Sequence, residues 1–334
     1  MTNKYICVSF LLLFVLGACK NDTSKKPETI TETNRQNTTE NIAEKNKPFF
    51  KLSLAQWSLH RTIASGEMSP LDFAQKAKEL GFEGLEYVNH LYSDELKKNA
   101  DPEKAMQILL QNLKEKSQEH NVQNLIIMVD GEGDLATTDV EERDQAVENH
   151  KRWVDAAQFL GCHSIRVNLF GTNDPKFWIN AAVDGLSKLS KYAAKKNVNV
   201  IVENHGYLSS NAKLLIEVIQ KVNQPNCGTL PDFGNFCLQR EKDARWDAKC
   251  IKEYPKYQGV EEMMPYAKAV SAKSYDFTSE GTETTIDYKK MLDIVKNSGY
   301  KGFIGVEYEG SRLNEIEGII ATRDLLINTA KQLD

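Results

Sequence analysis

Asn199-Val200-Ile201-Val202-Glu203 is a short apolar run that closes on an acid. After an amphipathic stretch, Lys213–Val222, a second run, Gly228-Thr229-Leu230-Pro231-Asp232, closes on another. A short run without polar alternation suits a strand covered on both faces, as in a parallel sheet, and the spacing of the stretch between them suits a crossover helix. The same unit repeats in both directions. Comparable runs stand at Leu52–Trp57, Gly84–Val88, Asn124–Val129, Ser164–Leu169, Ala269–Lys273 and Phe303–Tyr308, so successive starts lie 32, 40, 40, 35, 29, 41 and 34 residues apart. Helical stripes follow at Asp144–Leu160, Ala181–Lys196, Tyr288–Ser298 and Asn314–Leu333. Ser69-Pro70-Leu71-Asp72 offers an N-cap and a first-turn proline, and Leu71, Ala74, Ala77 and Leu80 supply its stripe as far as Gly81. Eight strand-then-helix units over residues 49–334 predict an α/β fold, a (β/α)8 TIM barrel forming one domain. A doubly wound open sheet is the alternative that periodicity alone leaves open.

The 334 residues are 41% hydrophobic and 27% charged, which fits a chain with a sizeable core. Forty-two Lys and Arg against 47 Asp and Glu give a formal charge of −5, which argues against a nucleic-acid partner. The N-terminus reads as an address. After Lys4 the chain is apolar from Ile6 to Leu16, too short to span a bilayer as a helix, and then reads Gly17-Ala18-Cys19. That ending resembles a bacterial lipobox, which implies a signal peptide over 1–18, acylation of Cys19, and export to a membrane on its periplasmic or outer side. A plain cleavable signal is the alternative. Residues 19–48 are rich in Asn, Thr, Lys and Glu and read as a flexible, disordered tether. In an oxidising compartment Cys162, Cys227, Cys237 and Cys250 allow three pairings, and Cys237 with Cys250 is the pair nearest in sequence. Gly131-Glu132-Gly133-Asp134-Leu135-Ala136 matches a dinucleotide fingerprint on paper, but its acids would repel a pyrophosphate and it reads as a loop.

In a barrel of this type the chemistry belongs at the C-terminal ends of the strands. Those ends carry Gln56, His60, Glu86, Arg166, Asn168, Glu203, His205, Asp232, Asn235, Lys273 and Glu307. Three acids from three strands, Glu203, Asp232 and Glu307, would converge at the mouth, where a divalent cation relieves their repulsion. Each also has a plainer reading: Glu203 and Glu307 as ion-pair partners of Arg166 or Lys273, Asp232 as the cap of a turn, and His205 as a hydrogen-bonded core residue.

Val200–Gly206, Leu230-Pro231-Asp232-Phe233-Gly234-Asn235, Ala269–Lys273 and Gly305-Val306-Glu307 resemble the xylose isomerase-like TIM barrels, which include sugar phosphate isomerases and epimerases. The resemblance implies one divalent ion (Mn, Mg, Co or Zn) held by Glu203, Asp232 and Glu307. The family's fourth ligand is a His in a His-x-Lys-Asp run, and here that run is Ser271-Ala272-Lys273-Ser274, so either His205 or water completes the shell or metal binding is weakened. By their places at the strand ends, Glu203, Glu307, Lys273 and His205 are the expected catalytic residues, and Gln56, His60, Glu86, Arg166, Asn168 and Asn235 the expected substrate contacts. The expected function is a metal-dependent sugar isomerase or epimerase that moves a proton at a carbon beside a carbonyl of a free or glycosidic sugar. The alternatives are a lyase that applies the same enolisation to a 3-keto-glycoside, and a non-catalytic sugar-binding lipoprotein. The relatives that repair DNA use several His ligands, and beyond His163 this chain has only His205. The expected partners are a small sugar and, through Cys19 alone, a membrane; a homo-oligomer is left open.

Overall fold

The computed structural model describes residues 47–246 and 248–333. The expected signal segment 1–18, Cys19 and the expected tether up to residue 46 lie outside the described residues.

Eight parallel strands form the sheet: β1 (Lys51–Ala55), β2 (Gly84–Val88), β3 (Gln123–Val129), β4 (Ser164–Val167), β5 (Asn199–Glu203), β6 (Cys227–Leu230), β9 (Val270–Ser274) and β10 (Phe303–Tyr308). Their order is β6-β5-β4-β3-β2-β1-β10-β9, and all seven ladders are parallel. The ends meet through two isolated parallel bridges, Thr229 with Ala267 and Asp232 with Ser271, which close the (β/α)8 barrel. Pro231 has no N–H to give at this seam; its carbonyl accepts from Ser271 N at 2.9 Å while Phe233 N donates to Ser271 O at 3.1 Å.

Side chains alternate across each strand. Leu52, Leu54, Leu85, Tyr87, Val200, Val202, Ile304 and Val306 face outward into the main apolar cluster beneath the helices. A smaller cluster, including Ala55, Val88, Ile126, Met128, Ile201 and Leu230, fills the barrel interior. The inward set turns polar toward one end, and that end carries the site. Helices begin where a short polar side chain caps them: Asp139 accepts from Glu142 N, Asp174 from Lys176 N, Asn211 from Leu214 N and Asn314 from Glu317 N. Ser69 accepts from Leu71 N as expected, although the first turn, Pro70–Asp72, is a 3-10 turn before the α-helix Phe73–Glu79. The sequence reading missed the helix Pro102–Glu119, capped by Asp101 with a first-turn proline. Residues 131–136 form a loop ahead of the helix Val140–Leu160.

An antiparallel hairpin, β7 (Cys237–Arg240) and β8 (Cys250–Glu253), is inserted between β6 and β9 and lies outside the barrel ladder. Cys237 and Cys250 are joined by a disulfide, while Cys162 and Cys227 are buried free thiols. A cross-link closing a loop of this size withholds about 3 kcal/mol of chain entropy, equivalent to roughly 100-fold in local opening. The Cys237→Ser, Cys250→Ser variant should therefore be cut within residues 237–253 up to about 100-fold faster by a protease. Its far-UV melting curve should barely move, because no barrel ladder runs through the hairpin.

Candidate active site

Glu203 ends β5, Asp232 follows β6 across the seam and Glu307 lies near the end of β10. The alternation that turns Val200, Val202 and Val306 outward turns these acids inward, and one oxygen from each lies within 4.8 Å of the others. All three are buried. Each has oxygens held by protein donors. Asn235 Nδ2 donates to Glu203 Oε1 at 3.0 Å, the N–H groups of Gly234 and Asn235 donate to Asp232 Oδ1 at 2.8 Å, and Lys273 Nζ donates to Glu307 Oε1 at 2.8 Å. Ser271 Oγ, at the position the family gives to His, donates to Asp232 Oδ2 at 2.7 Å and reaches Glu307 Oε2 at 3.3 Å.

Two cations sit among the acids. Arg166 Nε faces Glu203 Oε2 at 3.0 Å and its Nη1 lies 2.7 Å from Asp130 Oδ1, while Lys273 Nζ lies 3.2 Å from Glu309 as well as against Glu307. The plainer readings of Glu203, Glu307 and Asp232 as ion-pair partners and turn cap thus describe real contacts. They do not exhaust the charge. Five carboxylates, Asp130, Glu203, Asp232, Glu307 and Glu309, share two cations. Burial pushes Asp232 up to about 6 and Glu307 up to about 8, with Lys273 pulling each back and Glu203 adding to the rise. Burial also acts on Asp130, but Arg166 overrides it and holds that carboxyl well below the usual range.

Oxygens sharing one ion stand no farther apart than twice the ion–oxygen distance, about 4.2 Å for Mg²⁺ and roughly 5 Å for Ca²⁺. The spread of 4.8 Å therefore brings the three acids to, or just short of, a common ligand sphere. Glu203 Oε2 is buried and faces the Arg166 guanidinium at 3.0 Å without a well-formed hydrogen bond. These residues fit a divalent cation held by three carboxylates, with Ser271 in place of an imidazole.

A cavity of about 950 Å³ opens above the acids. Arg166, Asn168, His205, Asn235 and Glu307 line it, together with Trp57, His90, Asp130, Phe170 and Glu309. His205 Nδ1 lies 2.6 Å from Asn168 Oδ1, whose Nδ2 donates to Asp130 Oδ1 at 2.6 Å. The carboxylate accepts only, so the amide oxygen faces the ring, Nδ1 carries the proton and Nε2 keeps its lone pair. Burial lowers the His205 pKa, which favours that neutral form.

Of the expected site residues, Glu203 and Asp232 lie beneath the cavity floor, and four more lie off its wall. β1 ends at Ala55, and the 3-10 turn Gln56–Leu59 swings Gln56 into the protein, where it donates to Tyr92 Oη at 2.8 Å and accepts from Val88 N. His60 stacks on Trp57 at 4.1 Å and so supports a cavity-lining ring without itself lining the cavity. Glu86 lies two residues before the end of β2, one layer below the mouth, where it accepts from Ser53 Oγ at 2.6 Å. It packs so closely on Gly305 that a Cβ there would stand 2.4 Å from its oxygen, and burial pushes its pKa up to about 7. Lys273 is fully buried between Glu307 and Glu309, so its ammonium acts on those carboxylates and not directly on a substrate oxyanion. Trp57 lines the cavity, whereas the Tyr308 hydroxyl is bonded to the Leu313 backbone. Arg240, Arg245 and Trp246 also line it, brought in by the inserted hairpin, and the sequence reading had no periodic signal to find them by.

The family model for the xylose isomerase-like TIM barrel matches residues 74–329. The chain belongs to that family. Comparison with curated proteins gives no match. Among solved structures, this member of the xylose isomerase-like barrels is similar to the IolI protein with a bound zinc atom (15% identity, 85% of this chain and 99% of that chain covered, TM-score 0.61). It is similar to the apo form of the 3-keto-D-glucoside 4-epimerase YcjR from E. coli (14%, 83% and 98%, 0.61). It is also similar to the D-psicose 3-epimerase of Clostridium cellulolyticum H10 with D-tagatose (14%, 85% and 97%, 0.56). At these identities the likeness is one of fold.

Proposed function

We propose that this chain is a metal-dependent sugar isomerase or epimerase that moves a proton at a carbon beside a carbonyl. The observation that carries the reading is the convergence of Glu203, Asp232 and Glu307 within 4.8 Å at the base of one cavity. Two of the barrels similar in fold are sugar epimerases, and one holds zinc. Glu203, Asp232 and Glu307 would hold the cation, one of Mn, Mg, Co or Zn. When bound, it would polarise a substrate carbonyl and its neighbouring hydroxyl. Glu307, which lines the cavity, takes or returns the carbon-bound proton, with Lys273 against its Oε1 to stabilise the carboxylate form. Arg166 and Asn235 fix the Glu203 carboxylate, and His205 offers Nε2 as an acceptor to a substrate hydroxyl.

A second reading is favoured by the size of the cavity. With a 3-keto-glycoside, loss of the C2 proton lets that electron pair form a C1=C2 bond and expel the aglycone oxygen, which then takes a proton. This makes the protein a keto-glycoside lyase. We further propose that the chain is exported and anchored at Cys19; the Cys237–Cys250 bridge supports an oxidising compartment.

Metal content tests the site. The purified protein should carry about one divalent ion per chain, lost in the Glu203→Gln, Glu307→Gln double variant, as read by elemental analysis. No ion under any loading condition would leave the Arg166–Glu203 and Lys273–Glu307 pairs as the purpose of these acids, and the sugar-binding lipoprotein would then be the better reading.

A further inference from the structure

The hairpin inserted between β6 and β9 is tied down at several points. The Cys237–Cys250 disulfide closes its base. Arg245 Nη2 lies 2.8 Å from Asp134 Oδ2 on the loop after β3, and the Tyr207 hydroxyl donates to the Ala244 carbonyl. So fixed, the insertion spans from the sixth strand to the loop after the third. It places Trp246 on the cavity wall, 5.4 Å from the Phe170 ring and 5.1 Å from the His205 ring, with the Arg245 guanidinium 4.7 Å from Phe170. Trp246 is 44% exposed. A large aromatic side chain held by two neighbouring rings yet left open to a cavity has the character of a ligand platform. The space agrees. Sites of ~300–1,000 Å³ enclose drug-sized ligands, and at about 950 Å³ this one has room beyond a single pyranose. Glu307 and Asn235 lie on the same cavity as Trp246, so a ligand over the acids can extend toward the hairpin.

We infer that Trp246 and Phe170 form an outer subsite for the second ring of a glycoside, either an aromatic aglycone or a second sugar presenting its apolar face. The inference deepens the proposed function and rests on its placing a sugar ring over the carboxylates. It makes the substrate a glycoside and not a free monosaccharide.

Calorimetric titration of the full chain with matched p-nitrophenyl and methyl glycosides of glucose, galactose, mannose and xylose, in both anomers, tests it. For at least one sugar the aryl glycoside should bind about tenfold tighter than its methyl partner. Trp246→Ala should erase that gap, bringing the aryl affinity down to that of the methyl glycoside, and Trp246→Phe should restore most of it. A disaccharide of the same sugar that shares the gain identifies the ring as a second sugar; a gain confined to the aryl glycoside identifies an aromatic aglycone. Equal affinities in every pair, no binding across the panel, or a gap that survives Trp246→Ala would overturn the subsite. Failure of the two readings can be told apart. An aryl preference without turnover of any sugar sinks the enolisation alone, and turnover of a monosaccharide without an aryl preference sinks the subsite alone.

Discussion

Replacing Glu307 by Gln is expected to lower kcat by about two to four orders of magnitude, the usual contribution of a positioned acid or base. Glu307 is the member of the acidic cluster that lines the cavity, so it can meet a carbon-bound proton. The amide keeps the shape and loses the basicity. It does not strand the buried ammonium, because Lys273 keeps Glu309 at 3.2 Å. Stability should therefore fall far less than activity. Steady-state kinetics on any keto-sugar the wild type converts, paired with a thermal melt, reads both quantities. Turnover at the wild-type rate would remove Glu307 from the chemistry and with it the proposed reaction.

Lys273→Met should have the largest effect on stability, about 3–5 kcal/mol, because it leaves two carboxylates facing each other without their shared cation. Lys273 is wholly buried and Glu307 nearly so, so solvent cannot take over at Glu307, whereas Glu309, 27% exposed, keeps some access to water. The double variant Lys273→Met, Glu307→Gln should recover part of that loss by removing one of the stranded charges. Urea unfolding of the wild type, both single variants and the double variant gives the coupling directly. A loss under about 1 kcal/mol for Lys273→Met, the size of an exposed pair, would mean that these charges are far better hydrated than their burial implies.

The barrel was legible because its strands are short apolar runs and its helices carry their own caps, both local signals. The acids were legible for a related reason. A charge that ends a run such as Val200-Ile201-Val202 needs a partner, and Glu203 and Glu307 do sit with Arg166, Lys273 and each other. The misplacements follow from reading a strand's end without its alternation. In Gly84–Val88, Val88 takes the inward position nearest the mouth and pushes Glu86 one layer down. After Ala55 the chain turns, and Gln56 enters the core between Tyr92 and Val88. Trp246 and its neighbours had no periodicity to read. Only the spacing of Cys237 and Cys250 marked that stretch as something folded.

The barrel is joined all round by hydrogen-bonded ladders except between β6 and β9, where Pro231 breaks the pairing and two bridges suffice. The hairpin leaves the chain at that same gap. Length added or removed there leaves the seven other junctions untouched. The molecule thus keeps its reactive floor and its outer wall on separately alterable stretches of chain, and a descendant could trade one cap for another, and one preferred guest for another, while the barrel beneath it stayed the same.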